Sequence, residues 1–353
     1  MLTRTGAQRM RIESEVLELR TRHAFHIARA AGASVRRTVW VRLIAADGVE
    51  GWGEAPVSTP YYGETAETVR EVLPAYAARL SGVEGRAVLS LERLEVELQG
   101  VAAGNASARA AVSAALHDLA GQRLGVPVWQ LMGLVGDAPI SSFTIGIDAP
   151  GVMREKLREA RGYGVLKLKV GTARDEELLA LVREERPDAR LRVDANTAWT
   201  VAAARAALPL LEAYDVELVE QPLAPDDLDG FTALRSQARL PIVADESCRT
   251  VADVVRLADR VDGINIKLAK CGSLREAVRM IHVARAHGLR VMLGCMVEST
   301  LGIAAAVQLA PLADWVDLDG AALVANDPFS GPGLEPDGRV RFNAEPGLGV
   351  RRG

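Results

Sequence analysis

Five polar residues stand near the ends of successive apolar runs in the second part of the chain: Lys169, Asp194, Glu220, Asp245 and Lys267. Neighbouring members are 25, 26, 25 and 22 residues apart. Each interval is about the length of one βα unit, so parallel strands in a barrel would bring all five side chains to one rim. Three carboxylates and two lysines at one rim could hold a metal ion and move a proton.

The three carboxylates, Asp194, Glu220 and Asp245, predict a Mg²⁺ site. Mg²⁺ favours octahedral coordination by oxygen and keeps positions for water or substrate, which three monodentate carboxylates would leave open. Without a cation, three clustered carboxylates would repel one another at neutral pH. No His or Cys falls at these strand ends, which disfavours zinc. For any single carboxylate, pairing with a loop arginine is the alternative.

The lysines predict proton transfer. Lys167 and Lys169 share one face of their strand because side chains alternate, and Lys267 lies on the sixth predicted strand, across the barrel from the second. Two opposed lysines could remove an α-proton from one face of a planar enolate and return it on the other. A metal ion on the substrate carboxylate would stabilise that enolate. The alternative is that the lysines are only counter-ions, which suits Lys167 best.

The elements that must position these residues are parallel βα units. From residue 141, short β-branched runs alternate with amphipathic stretches rich in Ala, Leu, Arg and Glu. Eight strands with seven helices between them are predicted, which favours a closed barrel. The runs span residues 141–147, 165–170, 191–196, 216–222, 241–247, 263–269, 290–295 and 315–320.

The first part of the chain has a different pattern. Three runs, at 11–20, 36–46 and 48–55, predict antiparallel strands, and helical periodicity follows near 64–80, 88–99 and 106–124. We therefore expect an α+β capping domain in residues 1–135 and the barrel in residues 136–335. The tail, residues 336–353, is expected to return to the capping domain.

Composition narrows the class of protein. The chain has 353 residues, a formal net charge of −4 and no dense basic block, which argues against nucleic-acid binding. The stretch MLTRTGAQRM lacks the apolar centre of a signal peptide, and no run approaches the length of a membrane span. Three widely spaced cysteines match no zinc pattern. These features predict a cytoplasmic protein that binds neither nucleic acid nor membrane.

The motifs around these residues resemble the enolase superfamily, specifically its muconate-lactonising subgroup. The resemblance implies a modified (β/α)₇β barrel with an α+β cap, metal ligation by Asp194, Glu220 and Asp245, and acid–base roles for Lys169 and Lys267. It also implies that Lys167 aids binding of the substrate carboxylate and that the chain forms a homo-oligomer. The motifs are GWGEAP (51–56), LKLKVG (166–171), VDAN (193–196), VEQP (219–222), ADES (244–247) and INIKLAK (264–270).

The last predicted strand narrows the substrate. Asp317 and Asp319 alternate with Leu318, so both carboxylates should face the barrel mouth. The pair resembles the Asp-x-Asp of dipeptide epimerases, which binds the free ammonium of an N-terminal residue, and GCMVESTLGI (294–303) resembles the same enzymes. Two carboxylates suit an ammonium group and disfavour an acyl group.

The side-chain pocket is predicted less sharply. Arg29 would pair with an acidic C-terminal side chain, as in the Ala-Glu epimerases that the chain resembles, or would be an ordinary exposed loop arginine. Phe25, His26, Tyr61 and Tyr62 would suit an apolar substrate instead. Cys295, Met296 and Glu298 follow the seventh strand and are expected near the pocket, with Met296 as a substrate contact.

The leading hypothesis is a Mg²⁺-dependent epimerase that acts on the C-terminal residue of an L,L-dipeptide such as L-Ala-L-Glu. The alternatives in the same subgroup are an N-acylamino-acid racemase, an o-succinylbenzoate synthase and a muconate cycloisomerase. None of these needs an ammonium site. An alternative of another class is a non-catalytic barrel that binds an amino-acid-like ligand, which would have no use for two opposed lysines.

Overall fold

A computed structural model of the chain describes residues 9–28, 30–59 and 63–353. Its N-terminal part holds an antiparallel sheet in the order β1 (Arg11–Ile27), β2 (Ala30–Ile44), β3 (Glu50–Pro56). Four helices follow: α1 (Ala66–Leu80), α2 (Leu91–Gln99), α3 (Ala106–Leu124) and α4 (Val128–Leu131), with a 3₁₀ turn at Gly85–Leu89. The predicted strands and helices of this part are therefore present.

Helix α3 lies directly on strand β3, and the glycines of the GWGEAP motif make this approach possible. A Cβ atom at Gly51 would come within 2.0 Å of the Ala115 carbonyl oxygen, and one at Gly53 equally close to that of Ala111. The helix ends at Gly125, whose left-handed backbone (φ 68°) closes the C-terminus as a glycine readily does.

The second part is an eight-stranded parallel sheet, and each strand overlaps one of the eight predicted runs. Its strands are β4 (Phe143–Ile145), β5 (Val165–Lys169), β6 (Arg190–Asp194), β7 (Val216–Glu220), β8 (Ile242–Ala244), β9 (Gly263–Ile266), β10 (Arg290–Gly294) and β11 (Trp315–Asp317). The helices are α5 (Pro150–Glu159), α6 (Asp175–Glu185), α7 (Val201–Ala213), α8 (Leu228–Arg235), α9 (Val251–Leu257), α10 (Leu268–Cys271), α11 (Leu274–Ala286) and α12 (Thr300–Val307), with 3₁₀ turns at Ala160–Gly162 and Ala310–Leu312.

The sheet closes on itself. Strands run in sequence order from β4 to β11, and a parallel bridge between Ser141 and Val316 joins the two ends. The Ser142 amide donates to the Val316 carbonyl oxygen at 2.9 Å. The architecture is the predicted modified (β/α)₇β barrel with an α+β cap. No helix among residues 9–28, 30–59 and 63–353 is long and apolar enough to cross a membrane.

Helix α3 joins the two hydrophobic cores. Its Ala110 and Ala114 pack in the barrel core, whereas Ala111 and Ala115 pack in the core of the cap. Small side chains let a helix bury both faces at short interaxial distance, which explains its alanine content.

The tail returns to the same helix. Short strands β12 (Phe329–Ser330) and β15 (Arg351–Arg352) pair, as do β13 (Gly333–Leu334) and β14 (Val340–Arg341). Between them, the Leu348 amide donates to Asp118 of α3 at 2.8 Å, and the second oxygen of Asp118 accepts from the Trp52 amide at 2.7 Å. Asp118 thus holds strand β3, helix α3 and the tail together. The division of the chain at residue 135 stays a prediction.

Replacing Asp118 with Asn should destabilise the protein by roughly 1–3 kcal/mol, because one of the two backbone amides loses its acceptor inside the protein. Burial raises the pKa of Asp118 from 3.8 to about 6. Protonation of Asp118 therefore adds to the free energy of unfolding. This contribution is fully present below pH 3.8 and is lost as the pH rises through 6. Urea unfolding should show the advantage of wild type over Asp118→Asn shrinking between pH 4 and pH 7. A constant difference over that range would contradict this assignment.

Candidate active site

The predicted polar residues meet at the carboxyl ends of the barrel strands. Lys169, Asp194 and Glu220 are the last residues of β5, β6 and β7, and Asp245 and Lys267 immediately follow β8 and β9. None of the five is more than 9% exposed. Parallel strands of a barrel end at the same rim, so residues spaced by one βα unit in the sequence lie side by side in the structure.

Lys167 is the centre of this cluster. Its Nζ lies 2.6 Å from Glu220 Oε2, 2.7 Å from Asp317 Oδ2 and 3.2 Å from Asp194 Oδ2. Burial by itself would lower the pKa of Lys167, but the three carboxylates, Asp317 foremost, raise the pKa well above its usual value. Lys167 therefore carries its positive charge at neutral pH.

Lys169 and Lys267 each hold a different carboxylate. Lys169 Nζ donates to Asp194 Oδ2 at 2.6 Å, and Lys267 Nζ donates to Asp245 Oδ2 at 2.7 Å. Three strands separate β5 from β9 in the eight-stranded order, so the two lysines approach the mouth from opposite sides. This is the arrangement that transfer of a proton between two faces requires.

Lys270 fixes the Asp245 carboxylate. Its Nζ donates to Asp245 Oδ1 and to the Asp245 carbonyl oxygen, both at 2.5 Å, and to the Asn265 carbonyl oxygen at 2.7 Å. Burial raises the pKa of Asp245, but Lys267 and Lys270 outweigh it and lower the pKa below its usual range. Asp245 stays ionised.

Two residues at the strand ends hold strained backbone. Asn196 and Gln221 have positive φ angles of 44° and 36°, which side chains other than glycine rarely adopt. Gln221 Oε1 accepts from the Asp245 amide at 2.8 Å, and the Asn196 amide donates to Asp194 Oδ1 at 2.8 Å. These contacts compensate the strain and orient two of the predicted metal ligands.

The donor set fits a hard divalent cation. Among the described residues the cluster contains more carboxyl groups than lysines: Asp194, Glu220, Asp245, Glu246, Asp317 and Asp319 against Lys167, Lys169, Lys267 and Lys270. Burial, together with the charges of Asp245 and Asp194, raises the pKa of Glu246 to about 7. The formal excess of two carboxyl groups over lysines is what one Mg²⁺ would balance, and the side-chain atoms that these carboxyl groups offer are all oxygens.

As placed, the carboxylates do not surround a common point. In the part of the chain that the structure describes, no group of three or more His, Cys, Asp or Glu side chains stands ready to hold a metal ion. The reason is that lysine ammonium groups lie between the carboxylates, with Lys167 bridging Asp194 and Glu220. Ligation by Asp194, Glu220 and Asp245 therefore stays a prediction and requires these ammonium groups to move aside.

The Asp317 and Asp319 carboxylates reach the same mouth from β11 and the residues after it. Asp317 Oδ1 accepts from Ser142 Oγ at 2.6 Å while its other oxygen contacts Lys167. Asp319 Oδ2 accepts from the Thr144 amide at 2.6 Å. Burial and the neighbouring Asp317 raise the pKa of Asp319 to about 7. Asp319 is thus poised to lose a proton when a cation approaches.

A cavity of about 460 Å³ opens above the cluster. Its floor is formed by the lysines and carboxylates, and Met296 lines it together with Cys295, Phe25 and Val57. The predicted placement of Met296 beside the pocket agrees with this. Arg29, Tyr61 and Tyr62 lie outside the described residues.

Sequence reasoning missed Ser142 and Asn265, which position site carboxylates. Asn265 Nδ2 donates to Glu220 Oε1 at 2.8 Å, and both side chains are fully buried. Their signal in the sequence, a polar residue within a strand or directly before one, is weak. The composition of the chain points to the lysines more strongly. Only five of the 42 basic residues are lysines, and four of those five lie in this cluster.

Comparisons with known proteins agree with this geometry. Residues 11–133 match the family described as "Mandelate racemase / muconate lactonizing enzyme, N-terminal domain", and residues 152–352 match "Enolase C-terminal domain-like". The chain is 37% identical to the L-Ala-D/L-Glu epimerase of Bacteroides thetaiotaomicron over 95% of this chain and 86% of that protein. It is 36% identical to the hydrophobic dipeptide epimerase of Roseobacter litoralis over 92% and 94% of the two chains.

A solved structure is similar over nearly the full length. The dipeptide epimerase of Enterococcus faecalis, complexed with Mg and the dipeptide L-Leu-L-Tyr, superposes with a TM-score of 0.89. The two proteins are 31% identical, and the alignment covers 97% of this chain and 99% of that one.

Replacing Lys167 with Met should cost roughly 3–5 kcal/mol of the free energy of unfolding in EDTA, because three buried carboxylates lose their shared counter-ion. The matched control is Lys156→Met, which removes a buried lysine whose ion-pair partner among the described residues is the partly exposed Asp148, at 3.1 Å. This control should cost about 1 kcal/mol. Equal losses in the two variants, measured by denaturant unfolding, would show that Lys167 does not neutralise the cluster.

Proposed function

We propose that this chain, which belongs to the mandelate racemase/muconate lactonizing enzyme family of the enolase superfamily, is a Mg²⁺-dependent dipeptide epimerase. It inverts the configuration of the C-terminal residue of a dipeptide by moving its α-proton. The observation that carries this proposal is the pair of opposed lysines, Lys169 and Lys267, below a cavity that also contains Asp317 and Asp319.

Asp194, Glu220 and Asp245 hold the metal ion in this proposal. Mg²⁺ supplies positive charge beside the substrate carboxylate, where negative charge grows as the α-proton leaves. Gln221, Asn196 and Lys270 orient the ligands through the contacts described above. Lys167, already charged, would bind a carboxylate oxygen of the substrate once it no longer bridges Asp194 and Glu220.

Lys169 and Lys267 exchange the proton. The ammonium group of one returns a proton to the α-carbon after the neutral amine of the other has removed it from the opposite face. In the free protein each ammonium group rests on a carboxylate, Lys169 on Asp194 and Lys267 on Asp245. If Asp194 and Asp245 were engaged by a metal ion, they would no longer hold these two ammonium groups, and the lysines could then face the α-carbon.

Asp317 and Asp319 bind the ammonium group of the N-terminal residue. Two carboxylates in a buried site make strong charge-assisted hydrogen bonds to an ammonium and leave an acyl group without a partner. For this reason N-acylamino-acid racemisation, o-succinylbenzoate synthesis and muconate cycloisomerisation are not favoured. A non-catalytic binder would not need two lysines on opposite sides of the ligand.

The remaining predictions concern the substrate side chains and the setting of the protein. Met296 lines the cavity and would contact the substrate, whereas the proposed contact of Arg29 with an acidic side chain lies outside the described residues. A cytoplasmic location, a homo-oligomeric assembly and the lack of nucleic-acid binding stay predictions from the sequence.

Incubating the purified protein with Mg²⁺ and a panel of L-Ala-L-X dipeptides in deuterated water tests the activity. We expect deuterium at the α-carbon of the C-terminal residue, detected by mass spectrometry, together with formation of the L,D epimer. EDTA should abolish both. The absence of exchange across the whole panel would refute the proposed function.

Variants of the two lysines test the two-sided mechanism. Lys169→Ala and Lys267→Ala should each lose epimerisation by at least ~1,000-fold, because a general base and its return partner are both needed. Each variant should still exchange deuterium into only one epimer, and the two variants should act on opposite epimers. Lys156→Ala is the matched control and should keep full activity. If both variants lost deuterium exchange with the same epimer, Lys169 and Lys267 would not act on opposite faces of the substrate.

The KM for the dipeptide should fall as the pH rises through 7, since ammonium binding needs Asp319 without its proton. The expected change is about tenfold between pH 6 and pH 7.5. Asp319→Asn should raise KM and flatten this dependence while Mg²⁺ still raises the Tm. Glu246 also has a pKa of about 7 but titrates in both proteins, so the ratio of the two KM values isolates Asp319. An unchanged pH profile in Asp319→Asn would remove it from the ammonium site.

A further inference from the structure

The segment that carries Met296 into the cavity is hydrogen-bonded to a buried carboxylate of the capping domain, Glu54. We call residues 295–299 the pocket loop; it joins strand β10 to helix α12, and its Cys295, Met296 and Val297 line the cavity. Its last residue, Ser299, is the N-cap of α12. Glu54, on strand β3 of the cap, lies against this N-terminus.

Glu54 accepts hydrogen bonds from three donors of the barrel. Oε1 accepts from the Ser299 amide at 3.0 Å, and Oε2 accepts from Ser299 Oγ and from the Gly302 amide at 3.2 Å. Within the cap, Thr38 Oγ adds a fourth bond at 2.8 Å. Glu54 is only 4% exposed, so these bonds are shielded from water. Burial raises the pKa of Glu54, whereas the hydrogen bonds from Ser299 and Thr38 act in the opposite direction and favour a carboxylate at this helix N-terminus.

Contacts within the pocket loop connect the anchored Ser299 to the residues that line the cavity. Glu298 Oε1 accepts from the Met296 amide at 2.8 Å, so the loop is internally braced between the cavity residue and the anchored end. Two glycines enclose it: a Cβ atom at Gly302 would lie 2.3 Å from Glu298 Oε2, and one at Gly320 would lie 2.2 Å from the Met296 carbonyl oxygen. The loop therefore has little space to shift while Ser299 is held.

A second carboxyl group supports the same arrangement. Burial and the charge of Glu54 raise the pKa of Glu298 to about 8, so the Glu298 carboxyl keeps its proton at neutral pH. The two acidic side chains can then lie close together without repulsion.

Asp327 also binds the start of helix α12. Its Oδ2 accepts from the Thr300 amide and from Thr300 Oγ, at 2.7 Å each.

From these contacts we infer that Glu54 is a positioning residue for the substrate pocket: through Ser299 and the pocket loop, the cap sets where Met296 and Val297 meet the substrate. The inference rests on the proposed function only for its kinetic consequences. Displacing the loop weakens substrate binding, because the cavity wall moves, whereas Lys169 and Lys267 stay on their own strands.

Glu54→Gln is the test variant, since the amide replaces one acceptor with a donor that faces the donors of Ser299 and Gly302. Glu50→Gln is the matched control on the same strand, because the partly exposed Glu50 pairs with Arg42 in the part of the chain that the structure describes. We expect KM to rise about tenfold in Glu54→Gln with kcat changed by less than about threefold, and no change in Glu50→Gln. Ser299→Ala removes one of the four bonds to Glu54 together with the N-cap bond from the Leu301 amide, and should show a smaller rise in KM if Glu54→Gln does not fold.

A readout independent of activity separates this inference from the proposed function. Cys295 lines the cavity, whereas Cys248 is fully buried, so alkylation of each by iodoacetamide can be followed by mass spectrometry. Glu54→Gln should speed alkylation of Cys295 by at least about fivefold and leave Cys248 unchanged. If the wild type turns over no dipeptide, the proposed function fails while this readout still decides the inference. A lowered Tm in Glu54→Gln with wild-type KM and wild-type Cys295 reactivity would show a merely structural role and overturn it.

Discussion

The structure depends on the balance of buried charges at the barrel mouth. Lys167 stands among Glu220, Asp194 and Asp317, and removing ions from water is tolerated only when partners of opposite sign replace the lost hydration. The strands must therefore keep these side chains in register, and the residues after them accept strained backbone at Asn196 and Gln221 to do so. In this structure, lysines reduce the repulsion among the clustered carboxylates. A bound divalent cation would reduce the same repulsion.

The choice of lysine over arginine at this site has a chemical reason. A guanidinium keeps its proton at any accessible pH, whereas an ammonium can lose its proton when its surroundings change. The chain uses arginine for nearly all of its basic residues, and four of its five lysines lie in the cluster. A barrel that needed only counter-ions could have used arginine here as well, so the composition itself favours proton transfer.

The cap and the barrel act as one structure because several buried groups belong to both. Helix α3 contributes alanines to both hydrophobic cores, Asp118 joins the tail to strand β3, and Glu54 receives the start of helix α12. The cavity lies where the two parts meet, so its shape depends on how they dock. Family membership accounts for the chemistry proposed above, and in that proposal the walls formed at this junction would determine which substrate side chains are accepted.

The sequence alone determined the eight strands, the five polar residues at their ends and the common face of Asp317 and Asp319. The reason is that period and spacing are local properties, and a parallel barrel brings the ends of its strands to one rim. The contacts of Ser142 and Asn265 and the anchorage by Glu54 could not. They join residues up to 248 positions apart, and no local pattern identifies the partner of an isolated polar side chain. Only the tertiary structure decided that Lys167 bridges the carboxylates, because its partners depend on which side chains converge when the barrel closes.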